Sequence, residues 1–244
     1  MADVRVCAGV ADLAYRAAEA GATIIKEAVE TTGRCSLVLS GGDTPRDLYA
    51  RWASRFADDV PWAGVHVFWG DERFVPADDR RSNYKMAKEA LLDHVPIPAG
   101  NVHAMSTSLD SAELAATAYE AMLRRHFDGD RPRFDLLLLG LGPEGHTASL
   151  FPRSPALDET ARWVLPVTVP ADPPSRVTLT LRALNGATHT YVLVTGSEKA
   201  AALEHVLSER ADVRTYPAAG IRTAGNGPVW WVDREAAALY RPRS

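Results

Sequence analysis

A carboxylate and an imidazole stand two residues apart, shortly after a run of four leucines. Glu144 and His146 follow residues 136–139 across a turn rich in glycine. Histidine titrates near neutral pH, so His146 can act as a general base or acid. A carboxylate next to it can hold the second ring nitrogen and fix the tautomer. We therefore expect His146 to carry acid–base chemistry with Glu144 as its partner, although a histidine bonded only to backbone groups is the competing interpretation.

The glycines of this turn match a dinucleotide-binding pattern, but their context argues against it. Gly140, Gly142 and Gly145 form G-x-G-x-x-G directly after the apolar run. That fingerprint requires a long helix that begins at the third glycine. Pro152 and Pro155 would limit any such helix to less than about two turns. The glycines are therefore better explained by a tight turn that displays Glu144 and His146.

Three further strands are predicted to end in polar turns that contain glycine. These turns are residues 40–44, 70–73 and 195–199. The repeated alternation of strands and helices predicts a single three-layer α/β/α domain over residues 1–244, with a mostly parallel, Rossmann-like sheet. Ligands bind outside the carboxyl ends of such strands. We therefore expect these turns to meet the Glu144–His146 turn at one edge of the sheet.

The first of these turns has the composition of a phosphate cradle. Gly41 and Gly42, which follow Ser40, let the backbone approach a ligand with free N–H groups. Thr44 is predicted to be the N-cap of a helix whose first residue is Pro45. Free N–H groups at a helix N-terminus favour phosphate. An ordinary tight turn would use the same glycines, so this stretch alone leaves both interpretations open.

Charged residues near the other strand ends could complete an anion site. Arg176 follows the proline-rich residues 170–174, and Lys199 lies in the first turn of a predicted helix. Asp71 and Arg73 come directly after a strand, where an arginine can clamp a ligand oxygen through two hydrogen bonds. Taken alone, Arg176 and Lys199 are explained as solvated surface residues, and Asp71 and Arg73 as members of a structural ion network. Because these residues are all predicted to lie at the same edge of the sheet, together they favour a binding site for an anionic ligand.

Composition limits the classes of function open to the chain. Its 244 residues carry a net charge of −4, which gives no overall bias toward nucleic acid or membrane. Cys7 and Cys35 form no CxxC motif and are predicted to be buried, which indicates a reduced, cytoplasmic setting. We expect no membrane span and no secretory signal. None of the seven histidines forms an HxxxH spacing, so no metal site is expected.

Taken together, the motifs resemble those of the 6-phosphogluconolactonase family. In chain order they are SGGDTP at 40–45, GDERFVP at 70–76 with Ser82-Asn83, GLGPEGHTASLFP at 140–152 and GSEK at 196–199. They extend over nearly the whole chain, and the GHTASLFP segment is the most specific. The resemblance implies an α/β esterase without a cofactor, which hydrolyses 6-phospho-D-glucono-1,5-lactone in the oxidative pentose phosphate pathway.

The resemblance also implies roles for individual residues. His146 would be the general base that activates water against the C1 carbonyl. Arg73 would bind substrate and help to stabilise the developing oxyanion charge. The phosphate would be held by Gly42, Thr44, Arg176 and Lys199. The family commonly has aspartate where this chain has Glu144, which makes the position of that carboxylate beside His146 a point for the structure to test.

Aminosugar-6-phosphate deaminase/isomerases resemble the chain in the same turns and are the first alternative. Those enzymes carry a further acid five residues after the histidine, where this chain has Phe151. A lactone needs only water, a base and an oxyanion partner, so Phe151 favours hydrolysis. A non-catalytic sugar-phosphate sensor is the second alternative, against which the pair of Glu144 and His146 argues. The expected partner is a small-molecule substrate, without nucleic acid or membrane, and a monomer is expected.

Overall fold

In the computed structural model, residues 3–225 and 227–241 are described. Their strands are β1 (Asp3–Cys7), β2 (Cys35–Leu39), β3 (Val65–Trp69), β4 (Asp71–Arg73), β5 (Leu136–Gly140), β6 (Val164–Thr168), β7 (Ser175–Leu179), β8 (His189–Val194) and β9 (Val229–Asp233). Their helices are α1 (Val10–Thr32), α2 (Asp43–Arg55), α3 (Asn83–Ala87), α4 (Ala112–His126), α5 (Leu181–Leu184) and α6 (Ala200–Val206). A π-helical turn, Lys88–Leu92, extends α3.

A six-stranded parallel sheet forms the centre of the fold, in the order β1-β9-β8-β5-β2-β3. β2 is buried at every position and β5 at all but its last. Strands buried on both faces are typical of a parallel sheet covered by helices. The mostly parallel α/β architecture predicted from the sequence is confirmed.

A second, antiparallel sheet of three strands, β4-β7-β6, stands beside the parallel one. The alternation of strands and helices in the sequence predicted one sheet and did not indicate that β6 and β7 belong to a second one. The length of their connection explains the difference, because only residues 169–174 lie between them. Parallel neighbours need a long crossover, whereas antiparallel neighbours can be joined by a short loop.

The first two helices pack closely and fix the loop that follows β2. A Cβ atom on Gly21 of α1 would lie 2.8 Å from the Trp52 ring of α2, so the small residue permits this approach. Trp52 Nε1 donates to the carbonyl oxygen of Ala18 at 2.8 Å. On the same helix, the Tyr49 hydroxyl bonds both the N–H and the carbonyl of Ser40, each at 2.8 Å. The core thereby holds the start of a polar turn in place.

Several local predictions need adjustment. α1 is longer than the predicted 12–30 span, and it ends as expected at Gly33, whose φ of 79° is left-handed. The strand expected near Val102 is only an isolated bridge to Val67. The predicted cap of α3 is confirmed, since the Ser82 hydroxyl accepts from the N–H of Lys85. None of the described helices combines the length and apolar character needed to cross a membrane.

Candidate active site

The four polar segments predicted from the sequence meet at one edge of the parallel sheet, although the segment at 70–73, predicted as a turn, contains strand β4 of the second sheet. The strands that precede them, β8, β5, β2 and β3, are consecutive neighbours and run in the same direction. The chain continues from β2 to β3 on one side and from β5 to β8 on the other. β2 and β5 therefore flank a topological switch point, where ligands bind in open α/β sheets.

A pocket of about 270 Å³ opens at this edge. This volume is close to the lower limit of about 300 Å³ for typical ligand sites, which suits a ligand the size of a monosaccharide. The sequence-predicted residues that line it are Ser40, Gly41, Gly42, Asp71, Arg73, His146, Arg176 and Lys199. The residues that the prediction missed are Asn83, Gly140, Leu141, Gly142 and Ala148. Two predicted residues, Glu144 and Thr44, lie outside this lining.

A closed turn and an aromatic ring hold His146 at the pocket. The N–H of Gly142 donates to the carbonyl oxygen of His146 at 2.8 Å. The imidazole stacks on Phe151, with ring centroids 4.1 Å apart and planes 11° from parallel. A Cβ atom on Gly142 would lie 2.0 Å from His146 Nδ1, so only glycine leaves room for the ring. The imidazole is therefore fixed by packing on one face and by backbone at its edge.

Glu144 lies beside the imidazole, as expected from the sequence. Its Oε2 is 3.3 Å from His146 Nδ1, which is buried and makes no hydrogen bond with the described residues. Burial lowers the pKa of His146, and the charges of Glu144 and Asp71 partly oppose this effect. The contact places Nδ1 on the side of the ring that faces Glu144. The histidine is thus neutral near pH 7 and able to accept a proton.

The charge of Glu144 can be tested by replacing it with glutamine. Because the carboxylate raises the pKa of His146, Glu144→Gln should lower that pKa below its wild-type value. The wild-type pKa should itself lie below the usual 6.5 or so, because burial disfavours the imidazolium. NMR titration of the His146 ring protons measures both values. An unchanged or raised pKa in Glu144→Gln would show that the carboxylate does not face the ring in solution.

Two arginines face each other across the antiparallel sheet at the mouth of the pocket. Arg73 on β4 and Arg176 on β7 are register partners, so their side chains leave the same face. Arg176 Nε donates to the carbonyl oxygen of Pro173, and Arg73 Nη1 donates to that of Arg81. Like charges directly opposite each other are unfavourable unless an anion lies between them. An anionic group between the two guanidinium groups would relieve this repulsion.

Arg176 is buried, with 5% of its surface exposed, and not the surface residue that its sequence context alone suggested. This burial lowers its pKa, while the Asp71 carboxylate opposes the shift. The antiparallel pairing of β7 with β4 explains the position, because it turns the side chain toward the pocket. A guanidinium with part of its hydration removed interacts strongly with an anionic ligand.

Asp71 is held by neighbours inside the pocket wall. Its Oδ2 accepts from the Ser149 hydroxyl at 2.6 Å, and its Oδ1 accepts from Asn83 Nδ2 at 3.3 Å. The carboxylate therefore links β4 to the loop that follows His146. It also places negative charge near both His146 and Arg176. Its hydrogen bonds hold Ser149 and Asn83 in the wall of the pocket, and its expected role in binding substrate stays a prediction.

Glu72, the acid between the two pocket residues of β4, has a structural role. It is buried and accepts the backbone N–H groups of Asn83, Tyr84 and Arg73 at 2.7, 2.7 and 2.8 Å. Burial raises its pKa to about 6, against the effect of these hydrogen bonds. The carboxylate fixes the start of α3 and thereby brings Asn83 to the pocket.

The turn after β2 keeps its predicted glycines but not its predicted cap. Gly42, with a φ of 105°, is the N-cap, and α2 begins at Asp43, so the assignment of Thr44 as N-cap is wrong. A glycine reaches this left-handed conformation without strain, and the helix can start two residues earlier. The Thr44 hydroxyl instead bonds that of Thr195 at 2.7 Å, which ties the turn to the end of β8.

Lys199 presents an ammonium group to the same pocket. Its Nζ lies 4.0 Å from Glu198 Oε1, too far for a hydrogen bond, and its side chain is 21% exposed.

Asn83 packs tightly against the turn that follows β2. A Cβ atom on Gly41 would lie 1.9 Å from Asn83 Oδ1. This contact joins residues far apart in the sequence, and no local pattern could have revealed it.

Known proteins match the chain over most of its length. Residues 9–231 match the family model described as glucosamine-6-phosphate isomerases/6-phosphogluconolactonase. The chain is 44% identical over 221 residues to the 6-phosphogluconolactonase of Mycobacterium tuberculosis, covering 88% of each protein. It is 41% identical over 223 residues to that of Synechocystis, covering 90% of each.

A solved structure of 6-phosphogluconolactonase from Thermotoga maritima has the same fold. It superposes with a TM-score of 0.84 at 32% identity, covering 96% of this chain and all of that one. The family match spans the four strands and the turns that form the pocket. The chain therefore belongs to the glucosamine-6-phosphate isomerase/6-phosphogluconolactonase family.

Proposed function

We propose that the chain hydrolyses 6-phospho-D-glucono-1,5-lactone to 6-phospho-D-gluconate, with His146 as the general base. One observation carries this proposal: a neutral, positioned imidazole shares a pocket of about 270 Å³ with Arg73, Arg176 and Lys199. A base next to a cluster of cations suits an ester substrate that bears a phosphate. The names of the relatives, 6-phosphogluconolactonase, support the same reaction.

The reaction begins with the phosphate held at the cationic side of the pocket. Arg176 and Lys199 supply charge, and the turn of Gly42 and Thr44 supplies backbone N–H groups at the start of α2. Holding the distant phosphate orients the lactone carbonyl toward His146, so that binding energy lowers the entropic cost of attack.

Hydrolysis then needs two proton transfers, one from water to His146 and one from His146 to the leaving ring oxygen. His146 Nε2 accepts a proton from water as the water oxygen bonds to C1, and Arg73 stabilises the oxyanion that forms. When the bond between C1 and the ring oxygen breaks, the imidazolium returns the proton to that oxygen. Glu144 stabilises the imidazolium between these steps, because its carboxylate lies 3.3 Å from Nδ1. The proposed steps use no cofactor and no metal.

The proposal is tested by measuring product formation from the phosphorylated lactone. The purified chain should accelerate hydrolysis well above the spontaneous rate, with 6-phosphogluconate detected through its NADP-dependent oxidation by a coupling enzyme. Comparison with the uncatalysed reaction is essential because lactones open in water. Absence of any acceleration would refute the lactonase assignment.

Replacing Lys199 with alanine tests the phosphate site. Lys199→Ala should raise KM for the phosphorylated lactone roughly 10-fold with little change in kcat, because ground and transition states share this contact. Wild type and Lys199→Ala should hydrolyse unphosphorylated gluconolactone at the same rate. Lys26→Ala, an exposed lysine on α1, is the matched control. An equal loss on both lactones would show that Lys199 does not bind the phosphate.

The residue packed against the histidine favours hydrolysis over aminosugar isomerisation. Phe151 is buried and lies flat on the His146 ring, at the position where the resemblance places an acid in the deaminases. An apolar ring offers no proton for opening an aminosugar. The same site in a non-catalytic sensor would not need the positioned base.

We further propose that the enzyme acts as a monomer in the cytoplasm on a small-molecule substrate, without nucleic acid. The proposed base His146 and the cations Arg73, Arg176 and Lys199 line a pocket formed within one copy of the chain. Cys7 and Cys35 are buried free thiols, in keeping with a reducing compartment. Analytical ultracentrifugation tests the monomer, and an active dimer with a silent monomer would contradict it.

A further inference from the structure

Three histidines from distant parts of the chain meet on one side of β3. His66 lies near the start of β3, His103 follows the isolated bridge to that strand, and His126 is the last residue of α4. The active-site turn follows the opposite, carboxyl end of β3. The cluster is therefore separate from the lactone pocket, and none of its members belongs to the proposed mechanism.

The spacing of these rings suits a metal ion. One nitrogen from each lies within 4.8 Å of the others, and His66 Nδ1 is 3.1 Å from His103 Nε2. The three ring centroids are 5.0, 5.2 and 5.4 Å apart. Three imidazoles around a tetrahedral zinc ion have nitrogens about 3.4 Å apart and ring centroids about 5.2 Å apart, from bond lengths of about 2.05 Å. The ring centroids thus already have the spacing of such a site, and the nitrogens, within 4.8 Å of one another, must turn toward a common point to share one ion.

One nitrogen of the cluster has no hydrogen-bond partner among the described residues. His126 Nε2 is buried and makes no hydrogen bond. A buried polar atom of this kind costs free energy unless a water or an ion satisfies it. Burial also lowers the pKa of all three histidines, which keeps them in the neutral form that binds metals.

Stacking offers a competing explanation for the cluster. The His103 ring stacks on Phe68 at 4.6 Å, and His126 contacts Phe127 at 4.7 Å. These contacts orient the rings, but apolar aromatic residues could make the same contacts, so stacking does not explain why all three residues are histidines. The positive charge of Arg34 acts on His66 and His126 and would weaken, without preventing, the binding of a cation.

We propose that His66, His103 and His126 form a binding site for a divalent transition metal of borderline softness, with Zn²⁺ as the best match. Three imidazoles with no carboxylate among them exclude Mg²⁺ and Ca²⁺, which prefer oxygen ligands. The half-buried rings leave a fourth position for water. Binding requires the proton shared by His66 and His103 to move to the outer nitrogen of its ring, so that both inner lone pairs face the metal.

Calorimetric titration of the chelator-treated full chain with Zn²⁺ tests the site. Wild type should bind one equivalent, and Mg²⁺ should not compete. His103→Phe and His126→Phe keep aromatic packing while removing a ligand. Loss of an outer-shell partner alone weakens a metal site 10- to 100-fold, so each variant should lose about 100-fold or more in affinity. His66→Gln is a second test if the half-buried positions of His103 and His126 do not tolerate phenylalanine.

Two controls separate this site from other histidines. His146→Ala removes the histidine of the lactone pocket, and His94→Ala removes one on the outer surface, so both should bind Zn²⁺ as wild type does. Substitution of Co²⁺ should give the visible spectrum of a tetrahedral ion in wild type and in both controls. The proposal is overturned if wild type does not bind, if folded His103→Phe and His66→Gln bind as well as wild type, or if His146→Ala abolishes binding.

Discussion

Replacing His146 with alanine is expected to lower kcat for the phosphorylated lactone by about 10²–10⁴-fold, the usual contribution of a positioned general base. KM should change little, because the phosphate contacts are provided by other residues. The ring is held between Phe151 and the backbone of Gly142, so its loss removes the base without breaking an element of the fold. Initial rates, corrected for spontaneous opening of the lactone, give the measurement.

A surface histidine provides the matched control for this substitution. The His94 ring nitrogen bonds the carbonyl of Glu89 at an exposed position, so His94→Ala should keep wild-type kcat. Thermal unfolding of both variants checks that they remain folded. If His146→Ala retained near-wild-type kcat after correction, His146 would not be the base, and the proposed mechanism would fail.

The second large effect is expected from a single methyl group. Gly142→Ala would place a Cβ atom 2.0 Å from His146 Nδ1 and 2.2 Å from Cε1. Carbon atoms pack at about 3.5–4.0 Å, so the ring must move by more than about 1 Å. Misplacement on this scale can lower a rate by about 10²-fold. We therefore expect kcat to fall by roughly that factor while the protein stays folded.

Gly140 offers a closely matched control. It lines the same pocket two residues earlier, but a Cβ atom there would meet no atom within 4 Å. Gly140→Ala should therefore cost far less in kcat than Gly142→Ala. Equal losses in the two variants would indicate a general disturbance of the turn and not displacement of His146.

The sequence was most informative about the ends of the parallel strands. The apolar run at 136–139 predicted a buried strand, and the turn with Glu144 and His146 follows it as expected. Because adjacent parallel strands end at the same edge, the convergence of the four turns could be inferred without coordinates. The family and the lactonase chemistry came from the resemblance of motifs and not from periodicity.

Local sequence patterns could not reveal the contacts between residues that are far apart in the chain. The burial of Arg176 depends on its pairing with Arg73 in a second sheet, and the approach of Asn83 to Gly41 depends on how α3 packs. The cap at Gly42 also differs from the prediction for Thr44, because a left-handed glycine lets the helix start earlier. Each of these is set by tertiary structure.

The histidine cluster illustrates the same limit for metal sites. No HxxxH spacing is present, and the sequence therefore gave no reason to expect a metal. His66, His103 and His126 come together only because β3, the loop beside it and the end of α4 pack on one another. Spacing rules detect ligands on one helix or hairpin, and they miss sites that are assembled from separate elements.

A side-by-side assay of two reactions tests the central claim most directly. One preparation of the chain is supplied with the phosphorylated lactone and, separately, with glucosamine 6-phosphate, and 6-phosphogluconate and ammonia are measured. We predict rapid hydrolysis of the lactone, its loss in His146→Ala, and ammonia release at background. Ammonia release comparable to lactone hydrolysis, or lactone hydrolysis no faster than the spontaneous reaction, would contradict the proposed function.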